Sequence, residues 1–309
     1  MEELICYFNG EYIKESEVKI SIVDGALRDG MVYDTPRTYN HVDFFWEKHI
    51  DRLLYSLRYT HIDPGLTGKE IYEITLEVFK RNEKYLEPED DFFIMQRVSR
   101  GASTYFFTPP TRPTVLIHCI HLFPIYELQA KNYQEGIHLV VASTRQIPPQ
   151  CLDVKAKTSN RMGNTLATFE AKRVDPEALA LMLDINGFVA EGPSHNCFMV
   201  RDGKLLTPKP TNILGGVTRA TILTLARELG IESAETDLCV YDLYNADEIF
   251  VTGSSFVIYP VAKFNGRTLA KPVPGPITQQ LFSAFSRLVG VDIVQRVVGY
   301  VQTKAKATG

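Results

Sequence analysis

Apolar and polar positions alternate at the start of the chain in a way that predicts short strands. Ile5 to Phe8 is followed by the turn Asn9-Gly10, then by Tyr12-Ile13, and Val18 to Val23 alternates again. The period changes over residues 47–60, where Ile50, Leu53, Leu54 and Leu57 fall on one helical face. A second helix is expected over 68–83, closing on the charged run Lys80-Arg81-Asn82-Glu83-Lys84. Strands are expected at Phe92 to Ser99 and Thr114 to Leu122, with a loop rich in Thr, Pro and aromatic residues (102–113) between them. Alternation is lost from Pro124 to Glu135, so 124–135 reads as a linker between an N-terminal domain, 1–123, and a C-terminal domain, 136–309. Beyond it, Ile137 to Ser143 and Ala178 to Asp184 are apolar enough for buried strands. Helices are expected at 163–173, 217–229 and 276–288, the last carrying Ile277, Leu281, Phe282, Phe285 and Leu288. Strands with interspersed helices predict an α+β or α/β protein in two parts.

The chain has 309 residues, enough for two domains that each bury a core. Its 45% hydrophobic and 23% charged residues are those of a globular protein. A formal net charge of -4 gives no reason to expect nucleic acid as a partner. Cys6, Cys119, Cys151, Cys197 and Cys239 are scattered and form no C-x-x-C pair, which argues against zinc and against a disulfide framework. They read as free thiols in a reducing compartment. Met1-Glu2-Glu3-Leu4 lacks the order of a signal peptide, and no apolar run reaches membrane-spanning length. The expectation is a cytoplasmic enzyme.

Three features carry candidate chemistry. Lys157, in Asp153-Val154-Lys155-Ala156-Lys157-Thr158-Ser159-Asn160-Arg161, offers an amine at what reads as a strand-to-helix junction. An imine-forming lysine must be neutral part of the time, and Lys155 and Arg161 are cationic neighbours that lower an amine's pKa. Spacing alone does not choose between Lys155 and Lys157, and a lone lysine at either position reads first as one of a solvated pair on a surface strand. Glu191, in Ala190-Glu191-Gly192-Pro193-Ser194, stands between an apolar run and a loop of small residues. Leu214-Gly215-Gly216-Val217-Thr218 opens a helix whose free N–H groups and positive dipole end suit an anion. A second turn, Thr252-Gly253-Ser254-Ser255, adds hydroxyls and backbone donors after the strand Glu248 to Val251. A lysine, a carboxylate and a phosphate cradle are the parts needed to hold pyridoxal 5'-phosphate. His49, His118, His121 and His195 show no metal spacing, so no metal is expected. Ser194 sits in no G-x-S-x-G elbow, and no G-x-G-x-x-G is present, which disfavours a serine hydrolase and a nicotinamide dehydrogenase.

In this order, the segments resemble the class IV (fold type IV) pyridoxal-phosphate enzymes, a group of branched-chain, D-amino-acid and (R)-amine transaminases with aminodeoxychorismate lyase. The likeness runs from Tyr7-Phe8-Asn9-Gly10 to Val273-Pro274-Gly275-Pro276-Ile277-Thr278. It implies a smaller N-terminal α/β domain and a larger C-terminal pseudo-barrel domain. It also implies that Lys157, not Lys155, is the Schiff-base lysine, because Asn164-Thr165-Leu166-Ala167 follows at the family's distance. Arg52 in His49-Ile50-Asp51-Arg52-Leu53 resembles the phosphate-binding arginine, Glu191 the pyridine-nitrogen partner and Leu214 the residue on the ring face. Val217, Thr218 and Ser254 resemble the phosphate contacts, and Tyr33 and Ser255 fall beside the substrate. The family transfers an amino group from an amino acid or amine to a 2-oxo acid. It works as homodimers whose loops close each other's sites.

Substrate positions depart from the relatives. Met95-Gln96-Arg97 stands where branched-chain enzymes carry Tyr-x-Arg, and Arg100-Gly101 is not followed by the Arg-x-His of D-amino-acid enzymes. Arg28 occupies the usual histidine position of (R)-amine enzymes. Arg28 and Arg97 are therefore the expected carboxylate-binding cations, with Arg28 equally readable as a turn residue paired with Asp24 or Asp29. Tyr105-Phe106-Phe107 is expected either to line an apolar side pocket across the dimer or to pack an interface. An aminotransferase is the principal reading, a lyase on the same cofactor the alternative, and a non-catalytic binding protein the third.

Overall fold

The protein is described by a computed structural model covering residues 3–103, 112–269 and 272–308. The chain divides into two compact units, Met1–Pro124 with Ala156–Asn160 and Ile125–Lys155 with Arg161–Gly309.

The first unit is built on an antiparallel sheet. Its strands run in the order Glu11–Lys14, Ile5–Phe8, Thr114–His121, Phe92–Ser99, Arg37–Tyr39 and Val42–Phe44, and Val32–Asp34 also pairs with Phe92–Ser99. Along Phe92–Ser99 the residues Phe92, Ile94, Gln96 and Val98 are buried, while Phe93, Met95 and Arg97 on the opposite face are half-buried. The buried face packs on two helices, Trp46–Tyr59 and Gly68–Asn82. Trp46, Ile50, Leu53 and Leu57 from the first, and Ile71, Val78 and Phe79 from the second, close one core with Phe92, Ile94 and Ile117. Gly68–Asn82 starts where the sequence says it must, because Thr67 and Glu70 form a capping box that satisfies first-turn N–H groups.

The second unit carries a mixed sheet in the order Ser233–Thr236, Lys204–Pro208, His195–Arg201, Glu248–Gly253, Val257–Phe264, Ile137–Val141 and Leu179–Leu181. The short strand Glu191–Gly192 pairs antiparallel with His195–Arg201. Helix Met162–Val174 lies on the parallel pair Ile137–Val141 and Leu179–Leu181. Its buried residues are Ala167 and Ala171, which let the helix sit close over Val140, Ala180 and Met182. Val217–Glu228 and Pro276–Val289 form as expected.

Three expectations are corrected. Val18 to Val23 forms no strand: its alternation is present, but Ile20 and Ile22 on one side are exposed, Ile22 to 89%, and the segment turns into the short helix Gly25–Arg28. The stretch 124–135 is not a free linker but contains the helix Tyr126–Glu135. Its buried residues, Tyr126, Gln129, Ala130 and Tyr133, have helical spacing hidden by their polar atoms. Those atoms are satisfied in the second unit, where Gln129 donates to the Ser255 carbonyl at 2.9 Å and the Tyr133 hydroxyl to the Phe256 carbonyl at 2.8 Å. Finally, Lys157 lies at no strand-to-helix junction. Residues 151–161 are irregular apart from one bridge between Thr158 and Val32, and Ala156–Asn160 groups with the first unit rather than with the residues around it.

Candidate active site

Lys157 is held by its backbone. Its N–H donates to the Ser56 hydroxyl at 3.0 Å, and its carbonyl accepts from the Tyr33 N–H at 3.0 Å. The Ser159 N–H donates to the Met31 carbonyl at 2.7 Å, and the Ser159 hydroxyl accepts from the Met31 N–H, also at 2.7 Å. Gly30 makes this approach possible, since its φ of +83° is left-handed and a β-carbon there would overlap Asn160. With its backbone fixed, Lys157 places Nζ 4.6 Å from the centre of the Tyr33 ring. Lys155, by contrast, is exposed and paired with Asp153 at 3.2 Å.

Behind Tyr33 lies a charged network. The fully buried Asp34 carboxylate accepts from Arg52 Nε and Nη2, each at 2.7 Å, and meets His49 Nδ1 at 2.6 Å. Burial alone would raise the Asp34 carboxyl, but Arg52 and His49 beside it hold it well below the usual carboxylate range. His49 is pushed down, first by burial and then by the nearby Arg52 and Lys157 charges, against the pull of Asp34. His49 and Arg52 are three apart on one helix, which puts both side chains over the same carboxylate. Arg97 is half-buried and sits directly opposite Tyr33 in the antiparallel register, so the two side chains share a face.

The second unit holds the other predicted residues. Glu191 is 6% exposed and accepts three N–H bonds: Gln146 Nε2 at 2.9 Å, Asn196 Nδ2 at 3.0 Å and the Leu214 backbone at 3.0 Å. Asn196 Nδ2 also reaches the Leu214 carbonyl at 3.1 Å, and a β-carbon on Gly216 would overlap the Asn196 amide. Glu191 is thus tied to the loop that delivers Val217 and Thr218 to the first turn of helix Val217–Glu228. Gly216 caps that helix in extended conformation without a side-chain bond, leaving first-turn N–H groups with no intrahelical acceptor. Leu214 is half-buried. Ser254 and Ser255 lie half-buried in the turn between strands Glu248–Gly253 and Val257–Phe264. The first of these strands pairs Thr252 with Asn196. The hydroxyl of Thr252 and the side-chain oxygen of Asn212 are buried with no hydrogen-bond partner among the described residues.

The structure thus groups Tyr33, Arg52, Arg97 and Lys157 in one unit, and Glu191, Leu214, Val217 and Thr218, with Ser254 and Ser255 on the neighbouring strand turn, in the other. Arg28 is paired with Asp29: its Nε and Nη2 donate to the two Asp29 carboxylate oxygens, both at 2.9 Å. Tyr105-Phe106-Phe107 lies outside the described residues. Sequence reasoning missed Asp34, Ser56, Gln146 and Asn196, whose bonds span 15 to 101 residues in the first unit and 5 to 45 in the second. The one signal available was His49 a helical turn before Arg52.

The donor set fits pyridoxal 5'-phosphate. A helix end with free N–H groups suits the phosphate, a buried carboxylate held by neutral donors suits a protonated ring nitrogen, and the fixed Lys157 amine suits the aldehyde. Among the described residues no cluster of His, Cys, Asp and Glu could hold a metal ion, and no helix is long and apolar enough to cross a membrane.

Comparison with known proteins agrees with this chemistry. The family model for amino-transferase class IV matches residues 31–264, and the chain belongs to that family. It is a two-domain, fold type IV, pyridoxal-phosphate-dependent transaminase. A putative branched-chain-amino-acid aminotransferase of Methanocaldococcus jannaschii is 34% identical over 283 residues, covering 90% of this chain and 94% of that protein. The crystal structure of Escherichia coli branched-chain amino acid aminotransferase matches with a TM-score of 0.85 at 28% identity, covering 93% of this chain and 95% of the other. The branched-chain aminotransferase of the archaeon Thermoproteus uzoniensis, solved with norvaline, matches with a TM-score of 0.84 at 28% identity, covering 94% of this chain and 96% of the other. These relatives are aminotransferases, and the lyase alternative is not favoured.

Proposed function

We propose that the enzyme transfers amino groups between branched-chain amino acids and 2-oxo acids such as 2-oxoglutarate, with Lys157 as the catalytic amine. The observation that carries this reading is the cluster around Tyr33, where Lys157 Nζ lies over the ring and Arg97 stands opposite it in register. Lys157, Arg52, Glu191, Leu214, Val217, Thr218 and Ser254 are the residues assigned to the cofactor, and Tyr33, Arg97, Arg28 and Ser255 to the substrate. When bound, pyridoxal phosphate supplies an electron sink for the carbanion left by removal of the substrate's α-proton.

The protein's own residues do the rest. Lys157 Nζ, as a free amine, would take the proton from the substrate's Cα and hold it for return. The Tyr33 ring and the Ser56 and Tyr33 backbone bonds limit the positions from which that amine can act. Arg97 offers a planar fork to a substrate carboxylate on the Tyr33 face. Arg28 is a weaker candidate because its fork already meets Asp29. Met95 shares the Arg97 face two residues back, and its flexible thioether suits an aliphatic side chain. Support for the branched-chain assignment comes from the relatives, which carry that name across nearly the whole chain.

A homodimer in the cytoplasm completes the proposal. Met162, Leu166 and Phe169, spaced along one face of helix Met162–Val174, are exposed apolar residues that fit a second copy of the chain.

Half-reactions of the cofactor-loaded enzyme with L-leucine, L-glutamate, D-alanine and (R)-1-phenylethylamine, followed by absorbance, test the substrate class. L-leucine and L-glutamate should bleach the yellow form fastest; faster bleaching by D-alanine or the amine overturns the branched-chain reading. Arg97→Ala should raise KM for 2-oxoglutarate about tenfold or more, the worth of one charged hydrogen-bond pair, and Arg28→Ala should raise it less.

A further inference from the structure

The carboxylate of Glu191 does not stand on its own backbone alone, and the group that sets its direction comes from another segment, 45 residues earlier. Gln146 follows the strand Ile137–Val141 and is 2% exposed. Its backbone N–H donates to the Leu183 carbonyl at 2.9 Å. Its side-chain oxygen accepts from the Ile147 N–H at 3.3 Å. With the oxygen engaged, the amide can present only its NH2 end to Glu191, and Nε2 donates to Glu191 Oε1 at 2.9 Å.

The other oxygen, Oε2, accepts from Asn196 Nδ2 and the Leu214 N–H, both at 3.0 Å. A carboxylic acid in this place would point its O–H at donors. Three converging N–H groups therefore orient the Glu191 carboxyl oxygens as acceptors. The backbone on both sides is also fixed: the Glu191 carbonyl accepts from the Met182 N–H at 3.0 Å, and the Ala190 N–H donates to the Met182 carbonyl at 3.0 Å.

We infer that Gln146 is a positioning residue for the reaction: it fixes the orientation of Glu191, and through it the hydrogen bond offered to the cofactor's ring nitrogen. Asn196 has a different part. By bonding both Glu191 and the Leu214 carbonyl it sets the distance from that carboxylate to the loop ending at Val217 and Thr218. The inference rests on the reading that Glu191 faces the ring nitrogen.

Two variants test it. Gln146→Met keeps the volume and removes the donor. It should weaken pyridoxal phosphate binding to the apoprotein about ten- to a hundredfold, the worth of one hydrogen bond to a charged group, and lower kcat more than it raises KM. Gln146→Glu places a second carboxyl against Glu191, and two such groups share one proton. At low pH the introduced carboxyl is protonated and can still donate, so cofactor affinity and kcat should approach wild type. As pH rises that donor is lost, and both should fall through a titration absent from the wild-type profile.

A packing role alone predicts no new titration in Gln146→Glu. Wild-type cofactor affinity in Gln146→Met, or a wild-type pH profile in Gln146→Glu, overturns the inference. Should Gln146→Met fail to fold, the Gln146→Glu profile decides by itself. Glu191→Gln separates the two levels: wild-type affinity and turnover in that variant overturn the nitrogen-partner reading and this inference with it. Losses there beside normal Gln146 variants overturn only the role of Gln146.

Discussion

Two buried carboxylates, one in each unit, are treated in opposite ways. Asp34 is met by a cation and an imidazole, with the Arg52 Nε and Nη2 atoms at 2.7 Å and His49 Nδ1 at 2.6 Å. Glu191 is met by two side-chain amides and a backbone N–H at 2.9 to 3.0 Å. Cations cancel a carboxylate's charge where it stands, while neutral donors orient a carboxylate without cancelling it. Asp34 is therefore built to hold something in place, namely the arginine and histidine of helix Trp46–Tyr59. On the proposed reading, Glu191 is oriented to meet a cationic group brought to it. Both acids are buried, so burial alone does not tell them apart; the bonds differ, an arginine and a histidine on Asp34, two amides and a backbone N–H on Glu191.

The comparison can be broken first at the amine beside the Asp34 network. Lys157→Ala should cut transamination by about three orders of magnitude or more, because the proton carrier is gone, and should abolish the imine absorbance. Circular dichroism and melting temperature should stay near wild type, since the Ser56 and Tyr33 bonds use the Lys157 backbone. Normal turnover would remove Lys157 from the site altogether.

Asp34→Asn should act on stability instead. It leaves the Arg52 guanidinium, 12% exposed, beside an amide, and breaking a buried pair in this way costs about 3–5 kcal/mol. Denaturant unfolding measures the loss. The folded-state carboxyl is depressed, so its contribution is complete above the unfolded value of about 4 and is lost as pH falls further. A variant as stable as wild type would remove the contrast with Glu191.

The smallest effect is expected beside Glu191. His195 pairs in register with Gly192, and burial pushes its pKa down to about 4. A histidine held neutral in the folded state costs stability once the unfolded chain takes up a proton. The contribution is complete above about pH 6.5 and is lost as pH falls from there through about 4, amounting to about 3 kcal/mol. His195→Gln should flatten the stability profile in that window; an unchanged slope would show that the acid sensitivity arises elsewhere.

Much of this was readable in the chain, for identifiable reasons. Phe92–Ser99 alternates because one face meets the helices and the other does not, and Gly68–Asn82 announces its start through Thr67 and Glu70. Lys157, Arg52 and Glu191 were legible as types in an order, not by the bonds that hold each of them in its own unit. The helix Tyr126–Glu135 was missed because its inward face includes Gln129 and two tyrosines, whose polar atoms find partners only in the folded unit. Val18 to Val23 misled in the other direction, since an alternating pattern makes no strand when its apolar side stays in solvent. Strand His195–Arg201 was overlooked because six of its seven residues are buried, and burial on both faces erases alternation. Gln146 and Asn196 carried no signal, because an amide's role is set by the group it reaches.

The grouping of Ala156–Asn160 with the first unit has a consequence for dissection of the enzyme. A fragment ending at Pro124 would keep Arg52, Tyr33 and Arg97 but lack Lys157, and a fragment beginning at Ile125 would carry Lys157 without the Ser56 and Tyr33 bonds that fix its backbone. Five residues, Ala156–Asn160, thus stitch the halves into one heritable module. Neither half can be exchanged whole between relatives by a single crossover; recombination that keeps each unit intact needs three breakpoints, at 124/125, 155/156 and 160/161.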